Sequence, residues 1–185
     1  MKRCFWCNEK NHLYVKYHDE EWGRPRFDDE YLFEMLLLES FQAGLSWECV
    51  LNKREYFRKA FDGFDYNKIA KYDDKKFDEL YQNNAIIRNK LKIKSVIKNA
   101  QIFIDLIKEN GSFIAYLKRF WDGQIIFENN CTMSELSDKI SKDLQKRGMR
   151  FVGSTIIYSY LQAIGIVNAH DDGCFLNQKK YDFEA

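Results

Sequence analysis

The sequence predicts an all-α protein, and three observations carry that expectation. The 185 residues contain one proline, Pro25, and only nine glycines, too few breakers for a many-turned β-sandwich. Apolar residues recur at three- and four-residue spacing through successive segments. Residues that can cap a helix stand just before several of those segments.

The elements follow in order. The first 25 residues are aromatic and irregular, with no clear period. Asp28 or Asp29 caps the first helix, with acidic residues in the first turn where the macrodipole favours them. Leu32, Leu36, Glu39 and Ala43 form its stripe, and Gly44 ends it. Ser46 caps a second helix running through Trp47, Val50, Leu51 and Phe57. Asp65 and Asp73 open two short ones. A long helix spans 88–109, with Ile93, Ile97, Ala100, Ile104 and Ile107 as its stripe and Gly111 as stop. Ser112 starts another, extending to Trp121. Residues 122–132 read as a loop or short hairpin. Ser134 caps a helix to Arg147, 148–153 form a turn, and Ser154 caps a last apolar helix to Ile164.

Composition sets outer bounds. Hydrophobic residues make up 45% and charged residues 31%, the balance of a folded globular chain. A net charge of +1 excludes a polycationic nucleic-acid coat but allows a local basic face. Residues 88–119 hold eight basic and two acidic residues, and 139–150 hold five and one. The longest aliphatic run, 35–38, is too short to span a bilayer, and the start of the chain lacks the apolar core of a signal peptide. Five cysteines, an odd number, do not suggest a disulfide framework. With no repeat or linker, a single cytoplasmic domain over 1–185, monomeric and without membrane association, is expected.

Three constellations carry chemistry. First, Lys146, Arg147, Gly148, Met149, Arg150, Phe151, Val152 and Gly153 join two helices through a glycine turn. Backbone N–H groups at the second helix's start suit a phosphate, with Lys146, Arg147 and Arg150 adding charge. Such contacts grip a nucleic-acid backbone without reading sequence. An ordinary helix corner would look the same. From Phe151 to Ala169 there is no Asp, Glu, Lys or Arg, so the last helix offers neither a base for water nor a lysine for a Schiff base.

Second, Cys4 and His18 lie near one end, and His170-x3-Cys174 near the other. The C-terminal pair has ligand spacing, and one further Cys/His pair completes a closed tetrahedral zinc site. Cys4-x2-Cys7 competes as that pair, and scattered thiols without metal are equally compatible. Cys49 reads as a core thiol and Cys131 as a loop thiol. Third, Glu39 sits on an apolar stripe with Trp6, Tyr14, Tyr17, Trp22 and Trp47 nearby in sequence. A buried carboxylate must find donors, stay protonated or await a ligand. Walled by rings, it suits a flat cationic guest. The plainer alternative is a core with Glu39 bound to an arginine.

The chain resembles the DNA-3-methyladenine glycosylase I family of bacterial base excision repair. The resemblance is carried by YVKYHDEEWG (14–23), LFEMLLLESFQAGLSW (32–47), Ile86-Ile87-Arg88, KRGMRFVG (146–153) and VNAHDDGC (167–174). It implies a helix-hairpin-helix fold, with two helical lobes around a base-binding cleft. It also implies structural zinc on Cys4, His18, His170 and Cys174, which leaves Cys7 a bystander. The base-recognising, catalytic carboxylate falls on Glu39. The pocket falls on Tyr17, Trp47, Trp6, Tyr14, Trp22 and Ser159. Gly44 and Leu45 fall on the strand wedge, and Lys146, Arg147, Gly148, Arg150 and Gly153 on the phosphate grip. The implied reaction releases 3-methyladenine from double-stranded alkylated DNA, without strand cleavage. Two other classes remain: a non-catalytic hairpin DNA-binding module, which Glu39 and its rings speak against, and a zinc hydrolase or deaminase, which needs an open metal position and a general-base glutamate beside a ligand; no HExxH is present.

Overall fold

The computed structural model describes residues 1–177, and the part of the expected domain over 178–185 lies outside the described residues. It is mostly helical. In order come α1 (His12–Glu20), α2 (Asp29–Gln42), α3 (Trp47–Leu51) and α4 (Arg54–Ala60). A 3-10 turn (Asp62–Phe64) leads to α5 (Tyr66–Ile69), α6 (Asp74–Gln82), α7 (Lys90–Asn110) and α8 (Phe113–Leu117). Then follow β1 (Ile126–Phe127), α9 (Glu135–Lys146), α10 (Ser154–Ala163) and β2 (Val167–Asn168).

The caps explain most boundaries. Asp28 accepts the N–H of Tyr31 at the start of α2, and Ser46 accepts that of Cys49. Asp65, Asp73 and Ser112 cap α5, α6 and α8 in the same way. Ser134 and Ser137 form a reciprocal capping box on α9.

Several expectations change. The N-terminal region is not irregular: Asn11 caps α1, which buries Tyr14, Tyr17 and His18 at helical spacing. The apolar period is masked because one of the three inward residues is a histidine. The helix expected from Ser46 through Phe57 breaks at Asn52 into α3 and α4. The helix expected to reach Trp121 stops at Leu117. Ser154 is not a cap. Gly153 holds that position without a side-chain bond, and Ser154 Oγ instead meets Ser137 Oγ at 2.8 Å. Residues 122–132 do not fold into a hairpin: β1 pairs in parallel with β2, Ile126 opposite Val167 and Phe127 opposite Asn168. Cys49 is half-buried and not a core thiol.

α2 is the central element. It is buried on every side from Tyr31 to Phe41 rather than along one stripe, and Ala43 lies beyond its last turn. It packs on α10, α3, α7 and α8. The two ends of the described chain meet, Phe175 N–H donating to Lys2 O at 3.0 Å and Phe5 N–H to Asp171 Oδ2 at 2.6 Å. After α10, Gly165 (φ +80°) passes so close to the 24–25 peptide that a Cβ there would sit 2.3 Å from its atoms. Only glycine fits this crossing.

Candidate functional site

Residues from four places line one cavity of about 260 Å³: Trp6; Tyr14, Tyr17 and Trp22; Glu39, Gln42 and Trp47; Ser159 and Gln162. Every base-pocket residue expected from the sequence is among them. Gln42 and Gln162 are additions. Each stands three residues after an expected one on the same helix, so helical spacing and a polar side chain in an apolar run were the available signals.

The walls are ring contacts. Tyr17 and Trp47 lie 5.2 Å apart between centroids, tilted by 44°. Trp6 meets Tyr14 at 5.2 Å and Trp22 edge-on at 4.8 Å. Polar groups face this wall without protein partners. Glu39 Oε2, Gln42 Oε1 and Trp47 Nε1 are all buried with no hydrogen bond among the described residues. Buried polar atoms are normally satisfied. Three such atoms around one cavity, two acceptors and a donor as the Gln42 amide is oriented, fit a ligand carrying its own donors and acceptors. Among the described residues no arginine pairs with Glu39, and burial alone pushes its carboxyl well above the usual 4.5. Burial, and then the charge of Glu39, raise the Tyr17 phenol.

Behind the wall lies the Cys/His set. Cys4 Sγ, His18 Nε2, His170 Nδ1 and Cys174 Sγ all fall within 4.8 Å of one another. Sulfur-to-nitrogen distances are 3.3, 3.5 and 3.6 Å. Tetrahedral zinc, with Zn–S of 2.3 Å and Zn–N of 2.0–2.1 Å, sets about 3.5 Å for that edge. His18 Nδ1 donates to Asp19 Oδ1 at 2.8 Å, so Nε2 is the unprotonated nitrogen that faces the set, where it accepts the Cys4 N–H at 3.2 Å. Arg3 in turn holds Asp19 through Nε and Nη2. Burial raises the Cys4 thiol, so a thiolate there needs a cation beside it. The residues therefore fit zinc. Cys7 is outside the set, its Sγ facing Tyr14 O at 3.9 Å. His18-Asp19-Glu20 is an H-x-E spacing, but four protein donors leave no open position for hydrolytic chemistry. The set also braces the cavity: Trp22 meets His170 edge-on at 4.6 Å, and Trp6 lies 5.2 Å from His18.

The two expected nucleic-acid segments lie at element ends. Gly44 (φ +79°) and exposed Leu45 form the turn between α2 and α3. That φ is open to glycine at no cost. The turn between α9 and α10 follows a Schellman stop, Gly148 N–H donating to Gln145 O and Met149 N–H to Leu144 O. Phe151 takes φ +57°, and Ser141 Oγ donates to Val152 O at 2.7 Å. No side chain caps α10, which leaves its first N–H groups for an anion. Lys146, Gly148 and Arg150 are exposed and Gly153 is half-buried. Arg147 is engaged by Asp143 and Glu109.

The methyladenine glycosylase family model matches residues 6–177. DNA-3-methyladenine glycosylase 1 of Escherichia coli strain K12 is 42% identical over 180 residues, spanning 94% of this chain and 96% of its own. DNA-3-methyladenine glycosylase of Haemophilus influenzae strain Rd is 39% identical over 178 residues, spanning 93% and 96%. A solved structure of 3-methyladenine DNA glycosylase I from Staphylococcus aureus, described for its recognition of 3-methyladenine, superposes with a TM-score of 0.91. Its identity is 30%, over 98% of this chain and 99% of that one.

Proposed function

The chain belongs to the methyladenine glycosylase family, and from that premise we propose that it is a repair enzyme releasing 3-methyladenine from alkylated DNA. It hydrolyses the N-glycosidic bond of the damaged nucleotide and leaves the strand uncut. The observation that carries the assignment to this pocket is Glu39, a buried carboxylate with an unpartnered oxygen in a ring-walled cavity.

Methylation at N3 makes the base cationic and a good leaving group. The enzyme's tasks are then extrusion, selection and positioning, more than acid catalysis. The turn between α9 and α10 acts as the hairpin of a helix-hairpin-helix fold and grips backbone phosphate through the N–H groups of Gly153 and the start of α10, with Gly148 turning the chain into the grip. Lys146, Arg147 and Arg150 add charge, Arg147 by exchanging an internal pair for phosphate. Gly44 and Leu45 fill the gap left in the stack of double-stranded DNA. The extruded base stacks against the rings of Tyr17 and Trp47, with Trp6, Tyr14, Trp22 and Ser159 closing the pocket. Glu39 accepts a hydrogen bond from the exocyclic amine and balances the positive charge. Neutral adenine gains less from the same box. The uncharged stretch after Gly153 supplies no lysine for a Schiff base, consistent with glycosylase action alone.

Cys4, His18, His170 and Cys174 would hold one zinc ion. Bound there, it supplies a structural cross-link between the chain's two ends. The enzyme works as a monomer of one domain, two helical lobes around the cleft, in the cytoplasm, with free 3-methyladenine as product. Incubation of the wild type with methylated duplex DNA, followed by identification of released bases, tests this reading. Release of 3-methyladenine is expected, and its absence from the products overturns the reading.

A further inference from the structure

α7 contributes nothing to the base cavity, yet it bonds to both segments read as DNA contacts. Lys92 is buried, and its Nζ donates to Phe41 O at 2.8 Å and Ala43 O at 2.6 Å. Phe41 and Ala43 stand two and four residues past Glu39 at the end of α2, and Ala43 directly precedes Gly44 and Leu45. The same Nζ lies 5.8 Å from the centre of the Phe151 ring in the α9–α10 turn. Seven residues on, buried Asn99 holds that turn by its backbone. Its Nδ2 donates to Arg150 O at 2.9 Å, and its Oδ1 accepts Arg150 N–H at 3.0 Å. The gripped residue adjoins Phe151, whose positive φ is rare outside glycine.

Seven residues are two helical turns, so both side chains stand on one face of α7, about 10 Å apart along the axis. A lysine is costly to bury where an aliphatic side chain would fill the space. Lys92 has two carbonyls and a ring face as partners, and no carboxylate pairs with it among the described residues. Its cation also sits at the negative end of α2. What the arrangement achieves is a fixed spacing between two loops that share no covalent shortcut.

We propose that Lys92 and Asn99 are positioning residues that set the separation of the Gly44–Leu45 wedge from the phosphate-gripping turn. With phosphate held at 148–153, α7 fixes where Leu45 meets the stack and where Glu39 meets the extruded base. This rests on the reading of those two segments as DNA contacts.

The test compares wild type, Lys92→Met, Asn99→Ala and the double variant on methylated duplex DNA, with thermal unfolding and free 3-methyladenine binding measured alongside. Each single change lowers kcat about tenfold, the scale of a sub-ångström to ångström misplacement, with KM for duplex within about twofold. Free-base affinity stays at the wild-type value, because the cavity is untouched. The double variant loses little more kcat than one single, since either change already frees the spacing. Its losses in Tm add, as expected for residues that do not touch. Lys92→Arg, which keeps donors for both carbonyls, restores most of kcat. Unchanged kcat in both singles overturns the proposal. So do kcat losses that multiply in the double, or free-base affinity that falls with kcat. If Lys92→Met does not fold, Asn99→Ala decides by the same split of kcat from KM. A wild type that releases no 3-methyladenine removes the functional premise, and the proposal with it.

Discussion

Glu34 and Glu39 are both buried on α2, five residues apart, 7% and 3% exposed. Glu34 Oε1 accepts from Arg54 Nε at 2.7 Å and Arg58 Nη2 at 2.6 Å, while Arg54 also reaches Glu21 at 2.8 Å. Glu39 has no such partner among the described residues, and one of its oxygens makes no hydrogen bond to any of them. The same residue type on the same helix thus has two fates. Paired with arginines, a buried carboxylate is part of the scaffold. Left facing rings and a cavity, it has its carboxyl pushed up by burial, and a cationic ligand beside it favours the charged form.

The contrast can be broken from either side. The largest expected effect is on turnover: Glu39→Gln slows excision of 3-methyladenine roughly 10- to 100-fold, the worth of one hydrogen bond to a charged group, while circular dichroism and bound metal stay unchanged. Single-turnover assays on methylated duplex read this, and an unchanged rate removes Glu39 from the mechanism. Glu34→Gln has the opposite profile. It costs about 2 kcal/mol in urea unfolding, less than a fully orphaned buried charge because Arg54 keeps Glu21 and Arg58 is partly exposed. Excision by the folded fraction stays near wild type.

A third variant weakens the wall rather than the carboxylate. Cys174→Ser removes zinc, lowers Tm and loosens Trp6 and Trp22, so 3-methyladenine binding weakens severalfold, about 1 kcal/mol, by loss of aromatic packing. Metal analysis is expected to find one zinc in wild type and in Cys7→Ser, and none in Cys174→Ser. Loss of zinc through Cys7→Ser would overturn the ligand set.

The smallest effect is in the pH dependence of stability. Glu39 is pushed above its usual 4.5, so the folded chain holds that proton more tightly than the unfolded one. The stability tied to it is complete below the unfolded value and is lost as pH rises through the folded one. Glu39→Gln therefore flattens the decline of Tm above pH 4.5. At pH 8 the variant is at least as stable as wild type, and a variant less stable there contradicts the unpaired state.

What the sequence made legible follows local physics. Caps and breakers at Asp28, Ser46, Asp65, Asp73, Gly111 and Ser134 mark real helix ends because capping is decided within four residues. Long-range pairing was opaque. β1 finds β2 some forty residues away through two residue pairs, which no local pattern announces. α1 is hard to read because its buried face carries His18 among its tyrosines. Ser154 suits a cap, but its hydroxyl bonds Ser137 across the turn. For the site, Glu39 and its rings stood out as an acid in an apolar run, and the family resemblance drew Ser159 to them from the far end of the chain. Gln42 and Gln162 passed unnoticed because neutral amides raise no electrostatic alarm. Glu34 did so because the arginines that satisfy it lie 20 and 24 residues downstream.

The most direct test of the central claim is a titration of free 3-methyladenine and of adenine into wild type and Glu39→Gln. Wild type should bind 3-methyladenine far more tightly than adenine, and the preference should collapse when Glu39 becomes glutamine. Equal discrimination by the two proteins would mean that something other than this carboxylate tells the methylated base from its normal counterpart.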